Sequence, residues 1–279
     1  MKLNKLLSLA MAGALSLSLA ACGGTPAESK APVESVAPVE SAAADSDVAY
    51  IQDKGTLVVG MTEFAPMDYT DDKGEWIGFD ADMCKKVAEK LGVECQFVKI
   101  EWDNKLMEIN NKSIDVLWNG MTLTDDVVAA LECTKPYCKN AQVVVVPADK
   151  AEEYQTKDSL KDLTFAVESG SAGMEAAQAE GFTFNELEAQ SNALMEVAAG
   201  TSDAAILDLL MAGAMIGEGT SYPNLTHTVE LTSEEYGVGC RKGSDLAAYI
   251  DGVFDEMDKD GSLKELATTY GVQDALLTR

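Results

Sequence analysis

The segment WNGMTLTDDVV, Trp118 to Val128, combines side chains that bind small polar molecules with a glycine that leaves backbone groups accessible. Asn119 contributes an amide, and Thr122 and Thr124 contribute hydroxyls, so the segment can both donate and accept hydrogen bonds. Two aspartates follow, and no cationic side chain stands in the segment or just after it. The segment therefore indicates a turn that binds a polar solute without a charged side chain of its own for an anionic group.

Reactive side chains elsewhere give little support for catalysis or metal binding. The single histidine, His227, lies in the strand-like run TLTHTVEL without a second base or paired nucleophile in the sequence, so we expect a structural role. Cys133 and Cys138 are the nearest pair of cysteines, and their spacing fits either a disulfide or two small half-buried side chains. No CxxC motif or histidine cluster accompanies them, so no metal or other cofactor is predicted.

The charge of the chain excludes some classes of partner. Its 279 residues carry a formal net charge of −26 and only two arginines, Arg241 and Arg279. Nucleic-acid partners are not expected, because phosphate binding depends on clustered lysine and arginine. An anionic membrane face repels such a chain, so attachment to a membrane must come from a lipid.

Residues 1–22 have the features of a lipoprotein signal peptide. Lys2 and Lys5 precede an apolar stretch, Leu6 to Ala20, that is too short for a spanning helix with normal flanks. The sequence LAAC that follows resembles the lipobox at which bacterial lipoproteins are cut, which implies acylation of Cys22. A plain signal peptide with an incidental cysteine is the alternative.

Residues 23–48 are predicted to form a disordered tether. Pro, Ala, Glu and Ser dominate them, and these residues bury too little surface to offset the entropy of ordering. The segment APVESV is followed directly by APVESA, a repeat typical of a linker. A coil of this length reaches roughly 30 Å from the lipid.

After the tether, strand and helix signals alternate. Thr56–Val59 is predicted to be a strand, and a helix capped by Asp80 follows, with an apolar stripe at steps of three and four residues. The stripe consists of Met83, Cys84, Val87, Ala88 and Leu91. Further strands at Cys95–Ile100 and Ile114–Trp118 make the order βαβαβ, which predicts a parallel sheet with crossover helices. Ligands of such sheets bind beyond the carboxyl ends of the strands.

A second α/β cycle runs from a strand at Thr164–Val167 to a helix at Leu209–Ile216. Near Tyr236 the pattern returns to a strand, and the helix that begins at Ser244 carries another apolar stripe. This stripe consists of Leu246, Ile250, Val253, Phe254 and Met257. Periodicity alone does not assign this last segment to either unit.

Five segments carry a resemblance to a known family, and they occur in its order and spacing. They are VGMTEFAPMDYTDDKGEWIGFDADMCKKVAEKLGV, WNGMTLTDD with TKPY further on, FAVESGSAG, TSDAAILD and EEYGVGCRKGSDL. Through them, the chain from about Tyr50 to Gly271 resembles the periplasmic-type solute-binding proteins of polar amino-acid ABC transporters. The resemblance implies an α/β clamshell of two lobes, each a mixed, mostly parallel sheet flanked by helices, that close on a solute. It assigns residues 49–140 and 232–279 to lobe 1 and residues 141–231 to lobe 2.

The resemblance also implies which residues bind the solute. In the family, the turn after the third strand supplies a backbone carbonyl and a hydroxyl, which correspond to Gly120 and Thr122, with Asn119 beside them. Family members place an arginine shortly afterwards, and its guanidinium binds the α-carboxylate of the ligand through two hydrogen bonds. This chain has Val127 there, which departs from the family pattern. Glu168 stands where relatives contact the ligand side chain.

Further ligand-binding positions follow from the same resemblance. Phe64 and Trp102 match two aromatic walls of the family pocket, for which ordinary core packing is the alternative. Ser171 and Ala172 stand at the start of a helix, whose amides are expected to bind an anionic group. Asp208 corresponds to the carboxylate that pairs with the α-amino group of the ligand, and a helix N-cap is the alternative.

The sequence thus predicts a monomeric, lipid-anchored solute-binding protein at the extracytoplasmic face of the bacterial cell membrane. Its partners are a small-molecule solute, either an amino acid or an amino-acid-like amine, and the membrane permease of an ABC transporter. Because Val127 replaces the arginine, a non-carboxylated amine or a quaternary ammonium compound is an alternative solute. A dehydratase-like enzyme on the same fold is a second alternative, but a lipid tether suits delivery to a permease better, and no enzyme is expected.

Overall fold

The structure is a computed structural model that describes residues 46–278. The predicted signal peptide, Cys22 and the predicted tether up to residue 45 lie outside these residues. The first helix begins at Asp47, so the last two residues assigned to the tether are helical.

Strands and helices alternate through the described chain. In chain order the strands are β1 (Thr56–Met61), β2 (Tyr69–Thr70), β3 (Trp76–Ile77), β4 (Glu94–Lys99), β5 (Val116–Thr122), β6 (Glu132–Cys133), β7 (Cys138–Asn140), β8 (Gln142–Pro147), β9 (Thr164–Glu168), β10 (Thr183–Leu187), β11 (Ala204–Asp208), β12 (Leu225–Glu230) and β13 (Glu234–Cys240). The α-helices are α1 (Asp47–Lys54), α2 (Phe79–Leu91), α3 (Lys105–Asn110), α4 (Asp125–Ala130), α5 (Ala172–Glu180), α6 (Gln190–Ala199), α7 (Leu209–Met215), α8 (Leu246–Asp260) and α9 (Ser262–Thr269). Short 3-10 helices lie at Trp102–Asn104, Ala148–Glu153 and Lys157–Leu160.

Two larger sheets organise these elements. The first has the order β4-β1-β5-β13-β6, with β7 also paired to β13, and the second has the order β10-β9-β11-β8-β12. In each sheet three neighbouring strands are parallel, as the βαβαβ pattern predicts: β4, β1 and β5 in the first sheet, and β10, β9 and β11 in the second. In the first sheet β13 runs antiparallel to β5, and in the second sheet β8 runs antiparallel to both β11 and β12. The sheets are therefore mixed, with parallel cores whose carboxyl ends share one edge.

The chain passes between the two sheets at two places. It leaves the first sheet at Ala141, between β7 and β8, and returns at residues 231–233, between β12 and β13. The last strand and the helices that follow it therefore belong with the first sheet. The two crossings are short and lie outside the strands, which suits hinges.

The apolar stripes predicted from periodicity form the core. All five stripe residues of α8 are buried, and so are those of α2. On the first sheet the Trp118 ring lies 5.7 Å from Phe254, which stacks on Tyr137 at 5.3 Å between centroids. On the second sheet Phe165 stacks on Phe182 at 4.8 Å. Truncation of a buried aromatic side chain of this kind to alanine costs about 3–5 kcal/mol, so these clusters account for much of the stability.

A buried ion pair fixes α1, the first helix of the described residues, to the first sheet. Arg241 Nη2 lies 2.9 Å from Asp47 Oδ1, and Arg241 Nη1 donates to the carbonyl oxygen of Ile114 at 2.9 Å. Lys54 Nζ lies 2.5 Å from Asp115 Oδ2, which also accepts from the Val58 amide. Helix α1 is thus part of the folded unit and not of the tether.

Two further observations concern cysteines and membrane insertion. Within residues 46–278 the cysteines are free thiols, so Cys133 and Cys138 form no disulfide. In the same range no helix has both the length and the apolar character needed to cross a bilayer.

Candidate functional site

The segment that predicts a solute-binding turn lies within strand β5. Between Leu117 and Met121, β5 advances four residues while the facing strand β13 advances two, so β5 carries a bulge. Gly120 lies in this bulge with φ +54°, a left-handed conformation that glycine adopts without steric cost. The prediction of a turn after the third strand is therefore wrong, because the strand continues through the bulge to Thr122.

Buried side chains hold the bulge in place. The Gly120 amide donates to Asp80 Oδ2 at 2.6 Å. Asn119 Nδ2 donates to Asp68 Oδ2 at 2.8 Å and to the Thr62 carbonyl oxygen at 2.9 Å, and Asn119 Oδ1 accepts from the amide and the hydroxyl of Thr62. Every hydrogen bond that the Asn119 amide can make is used here, so this side chain positions the bulge.

Asp80 has a different role from the predicted helix cap. Helix α2 begins at Phe79 after Gly78, and no side chain caps it. The Asp80 carboxylate instead accepts from Gly120 and from the Tyr137 hydroxyl, at 2.7 Å for the shorter of the two Tyr137 bonds. Burial raises the pKa of Asp80 to about 7, although both hydrogen bonds oppose that shift.

A cavity opens where the end of β5 meets the segments that follow β9 and β11. It encloses about 430 Å³ including its mouth and lies at the carboxyl ends of these strands, as the parallel pattern predicts. All the predicted ligand-binding residues except Phe64 line it: Trp102, Asn119, Gly120, Thr122, Glu168, Ser171, Ala172 and Asp208. The two sheets thus contribute opposite walls of one cavity.

Phe64 lies behind the cavity wall. Its ring is buried and meets Tyr236 edge-on, with 6.2 Å between centroids. A Cβ atom placed on Gly120 would lie 2.5 Å from Phe64 Cε1, so Phe64 packs directly against the bulge. It supports the glycine from behind, whereas Trp102 lines the cavity itself.

The second sheet contributes a helix amino terminus. Strand β9 ends at Glu168, Gly170 turns the chain with φ +70°, and Ser171 caps helix α5 by accepting a hydrogen bond from the Met174 amide at 3.1 Å. The amide of Ala172 belongs to the first helical turn, where N–H groups have no partner within the helix. This end of the cavity therefore favours a negatively charged group.

Asp208 is the last residue of β11 and also lines the cavity. Its side chain is only 3 % exposed. It accepts hydrogen bonds from Tyr236 Oη at 2.5 Å, from Gln142 Nε2 at 3.1 Å, and from the amides of Asn140 and Gln190. It precedes helix α7 but makes no capping hydrogen bond, so the N-cap alternative is not what the structure shows.

A second carboxylate, that of Glu234, lies close to Asp208 and shares hydrogen-bond donors with it. Glu234 Oε1 accepts from Thr122 Oγ1 at 2.9 Å and from the same Asn140 and Gln142 amides that donate to Asp208. Burial, and then the charge of Glu234, raise the pKa of Asp208 well above its usual range. A cation bound beside Asp208 would offset both effects, so this part of the cavity suits a ligand ammonium group.

Glu168 adds a further buried acid to the cavity lining. Its side chain is 3 % exposed, and Oε1 has no hydrogen-bond partner within the described residues. Burial raises its pKa to about 7, opposed by hydrogen bonds with Thr62 and Gln190. An unpartnered buried acceptor facing a cavity is suited to a donor on a ligand.

A cation does line the cavity, although it comes from outside the segment Trp118 to Val128. Val127 lines the wall where the family places its arginine, but Lys105, from the start of α3, also lines the cavity. Its ammonium donates to the Gly170 carbonyl oxygen at 2.7 Å and lies 5.3 Å from the centre of the Trp102 ring. Sequence reasoning missed Lys105 because an isolated lysine on a short helix carries no motif.

Other lining residues were also missed, and metal binding gains no support. Gln190 and Glu175 reach the cavity from α6 and α5, and neither stands in a segment whose pattern predicts a ligand.

His227 is exposed on β12, outside the cavity. Among residues 46–278 no group of His, Cys, Asp and Glu side chains is arranged to hold a metal ion.

Comparison with characterised sequences gives a consistent result. Residues 57–273 match the family model described as bacterial extracellular solute-binding proteins, family 3. The L-cystine-binding protein TcyJ of Escherichia coli is 27 % identical over 225 residues, which cover 79 % of this chain and 84 % of that protein. The L-arginine-binding protein of Pseudomonas aeruginosa is 26 % identical over 233 residues, which cover 79 % of this chain and 89 % of that protein.

Solved structures agree with the sequence relatives. A mutant of ArgBP from T. maritima has a TM-score of 0.75 and 31 % identity, covering 80 % of this chain and 98 % of that chain. The ancestral amino acid-binding protein AncCDT-1, a precursor of cyclohexadienyl dehydratase, has a TM-score of 0.74 and 27 % identity, covering 81 % of this chain and 99 % of that chain. The fold is therefore the expected two-lobed periplasmic binding protein fold, and lobe 1 and lobe 2 are the parts built on the first and second sheets. With the matched residues spanning both sheets and the cavity between them, the chain belongs to the bacterial extracellular solute-binding proteins, family 3.

Proposed function

We propose that the protein captures an amino acid in the cavity between its lobes and delivers it to the membrane permease of an ABC transporter. Membership of the solute-binding family supports this proposal. Relatives named for binding L-cystine and L-arginine support an amino acid as the solute. Because relatives of similar length are binding proteins, we propose binding without turnover.

The observation that carries the proposal is the buried carboxylate of Asp208, which faces the same cavity as the amino terminus of helix α5. An amino acid is a dipolar ion, with an ammonium group and a carboxylate on one carbon. The acids around Asp208 suit the ammonium group, and the Ala172 amide suits the carboxylate. Thr122 also lines the cavity, with a hydroxyl that can donate or accept.

Closure of the lobes supplies the mechanism of capture. Trp102, Gly120 and Thr122 belong to lobe 1, whereas Ser171 and Asp208 belong to lobe 2, so a solute contacts the full set only when the lobes are closed. Close interlobe packing is seen at Gly170, where an added Cβ atom would lie 2.7 Å from Asp103 Cα. A solute that binds the closed form more tightly shifts the population towards it.

The attachment to the membrane is part of the same proposal. Acylation of Cys22 and a tether from residue 23 onwards would hold the lobes at the extracytoplasmic face of the membrane, as a monomer near its permease. The signal-like sequence of residues 1–22 and the extracellular character of the family support this attachment. The negative charge of the chain favours a lipid over electrostatic attraction as the means of attachment.

A solute without a carboxylate is the second candidate. Val127 at the family's arginine position and the cluster of Glu168, Asp208 and Glu234 favour a cation over an anion. Thermal-shift screening with amino acids and with amines separates the two. Stabilisation by amines alone would exclude the amino-acid solute and leave solute capture intact.

The test of the proposal is Asp208→Asn, with the exposed Asp162→Asn as the matched control in lobe 2. Removing one charged partner of an ammonium group costs about 1.5–3 kcal/mol, so we expect an affinity loss of roughly 10- to 100-fold for the solute that stabilises the wild type. Isothermal titration calorimetry gives the Kd, and circular dichroism checks that the variant folds. An unchanged Kd in the folded Asp208→Asn variant would show that the ammonium site is wrongly placed.

A further inference from the structure

We propose that Lys105 binds the carboxylate of the solute. It thereby takes the role of the arginine that the family places at the position of Val127. This inference rests on the proposed function, because it concerns an amino acid in the same cavity. It makes the cavity selective for carboxylated solutes by means of a residue that comes from a different element, helix α3, some twenty residues earlier in the chain.

The Lys105 ammonium is held inside the cavity without using all of its donors. It donates to the Gly170 carbonyl oxygen at 2.7 Å and, at 3.4 Å, to the carbonyl oxygen of Trp102. A lysine ammonium has three N–H groups, so these two bonds leave one for a ligand. The two carbonyl oxygens orient the ammonium while leaving its full positive charge uncompensated.

The charge of Lys105 has no close partner in the described chain. Within residues 46–278 no carboxylate oxygen lies within 4 Å of its Nζ, and the nearby acids Glu175, Asp103 and Glu168 act on it only over longer distances. Burial lowers the pKa of this lysine, because the ammonium loses hydration and no ion pair compensates for that loss. A bound carboxylate would compensate for it.

The amino terminus of α5 strengthens the case for an anion at this place. Lys105 Nζ lies against the carbonyl oxygen of Gly170, two residues before Ala172 begins the helix. A lysine ammonium and the positive end of a nine-residue helix thus converge on one part of the cavity. The full charge of the ammonium and the partial positive charge of the helix end repel each other, and a carboxylate bound between them can accept hydrogen bonds from both.

A purely structural role for Lys105 predicts a different behaviour. Because Lys105 belongs to lobe 1 and Gly170 to lobe 2, their hydrogen bond joins the lobes. A lysine that acts only as this clasp would strengthen the closed form with any solute, whether or not it has a carboxylate. A lysine that binds the carboxylate would act on carboxylated solutes alone.

The experiment compares matched solutes that differ only in the carboxylate. L-Arginine is titrated against agmatine and L-histidine against histamine, with the wild type, Lys105→Met, Lys105→Arg and the exposed control Lys86→Met. We expect the wild type to bind the amino acid of a pair at least 10-fold more tightly than the amine. Lys105→Met should abolish that preference while leaving the affinity for the amine within about 3-fold, and Lys105→Arg and Lys86→Met should retain it.

A rescue variant guards against indirect effects of the substitution. Lys105→Met combined with Val127→Arg returns a cation to the family position, and we expect it to regain at least part of the preference for the amino acid. Thermal unfolding of each ligand-free variant confirms that it folds. Equal weakening of amino acid and amine by Lys105→Met, or a preference that survives it, overturns the inference while the proposed capture of a solute stands. If the wild type binds no member of the two pairs, both the inference and these solutes are excluded. If no amino acid or amine shifts the thermal unfolding of the wild type, the proposed function itself is refuted.

Discussion

Glu168 offers a direct test of the cost of burying a carboxylate in the cavity. Replacing it with glutamine should stabilise the ligand-free protein at neutral pH. The side chain is 3 % exposed, and Oε1 has no hydrogen-bond partner among the described residues. Burial raises its pKa from 4.5 to about 7, although hydrogen bonds with Thr62 and Gln190 and the charge of Lys105 oppose the shift. Ionisation of Glu168 is therefore less favourable in the folded protein than in the unfolded chain.

The sign and size of the effect follow from proton linkage. Since its pKa is higher in the folded state, Glu168 stabilises the fold fully below its unfolded pKa of 4.5, and this stability is lost as the pH rises through 7. A shift of this size corresponds to about 3.4 kcal/mol at most, of which about 2.5 kcal/mol is lost between pH 5 and pH 8. Glutamine does not titrate, so Glu168→Gln should keep that stability.

Urea unfolding of solute-free protein at pH 5 and pH 8 measures the effect. Co-purified solute must first be removed by unfolding and refolding, because a bound cation would lower the pKa of Glu168. We expect the free energy of unfolding of Glu168→Gln, relative to wild type, to rise by about 2.5 kcal/mol between the two pH values. The exposed control Glu153→Gln should show no such rise. A difference between Glu168→Gln and wild type that does not change with pH would refute the reasoning.

Two further predictions concern closure and the attachment of helix α1. Gly170→Ala should weaken solute binding at least 10-fold and keep the solute-bound radius of gyration in X-ray scattering at its open value, because its Cβ would lie 2.7 Å from Asp103 Cα. Gly181→Ala, with the same φ of +70° and open space around it, is the control for backbone strain, and equal effects of both substitutions would contradict a clash between lobes. Arg241→Met should cost about 3–5 kcal/mol in urea unfolding because it leaves buried Asp47 without its partner, and a loss below about 1 kcal/mol would show that the ion pair contributes little.

The sequence predicts the elements whose residues interact over short distances along the chain. The stripes of α2 and α8 are visible because residues three and four apart share one face of a helix, and all their members are buried. Strand β11 ends at Asp208, one residue beyond the apolar run Ala204–Leu207 that predicts it, and α5 begins one residue after Ser171, where the sequence predicts its start. The ends of these elements are local features too, so the sequence can place Asp208 at the end of a strand and Ser171 at the start of a helix, while their binding of a solute stays a prediction.

Some local interpretations fail because a distant partner decides the outcome. Asp80 has the sequence of a helix cap, yet its carboxylate is used by the Gly120 amide and the Tyr137 hydroxyl, forty and fifty-seven residues away. The turn expected at Gly120 is a bulge because β13 pairs with both of its flanks. Phe64 has the type of a cavity wall, but packing against Gly120 and Tyr236 places it behind that wall.

By itself, then, the sequence determined the two α/β units, the family and the residues at the ends of the parallel strands, because strand and helix periodicity and strand-end chemistry are short-range properties. Only the tertiary structure decided which charges meet in the cavity. Lys105 and Gly170 are 65 residues apart, and the Asn140 amide donates to Asp208 and to Glu234, across separations of 68 and 94 residues. Such contacts depend on how the two sheets close on each other, and no pattern within a single segment records that geometry.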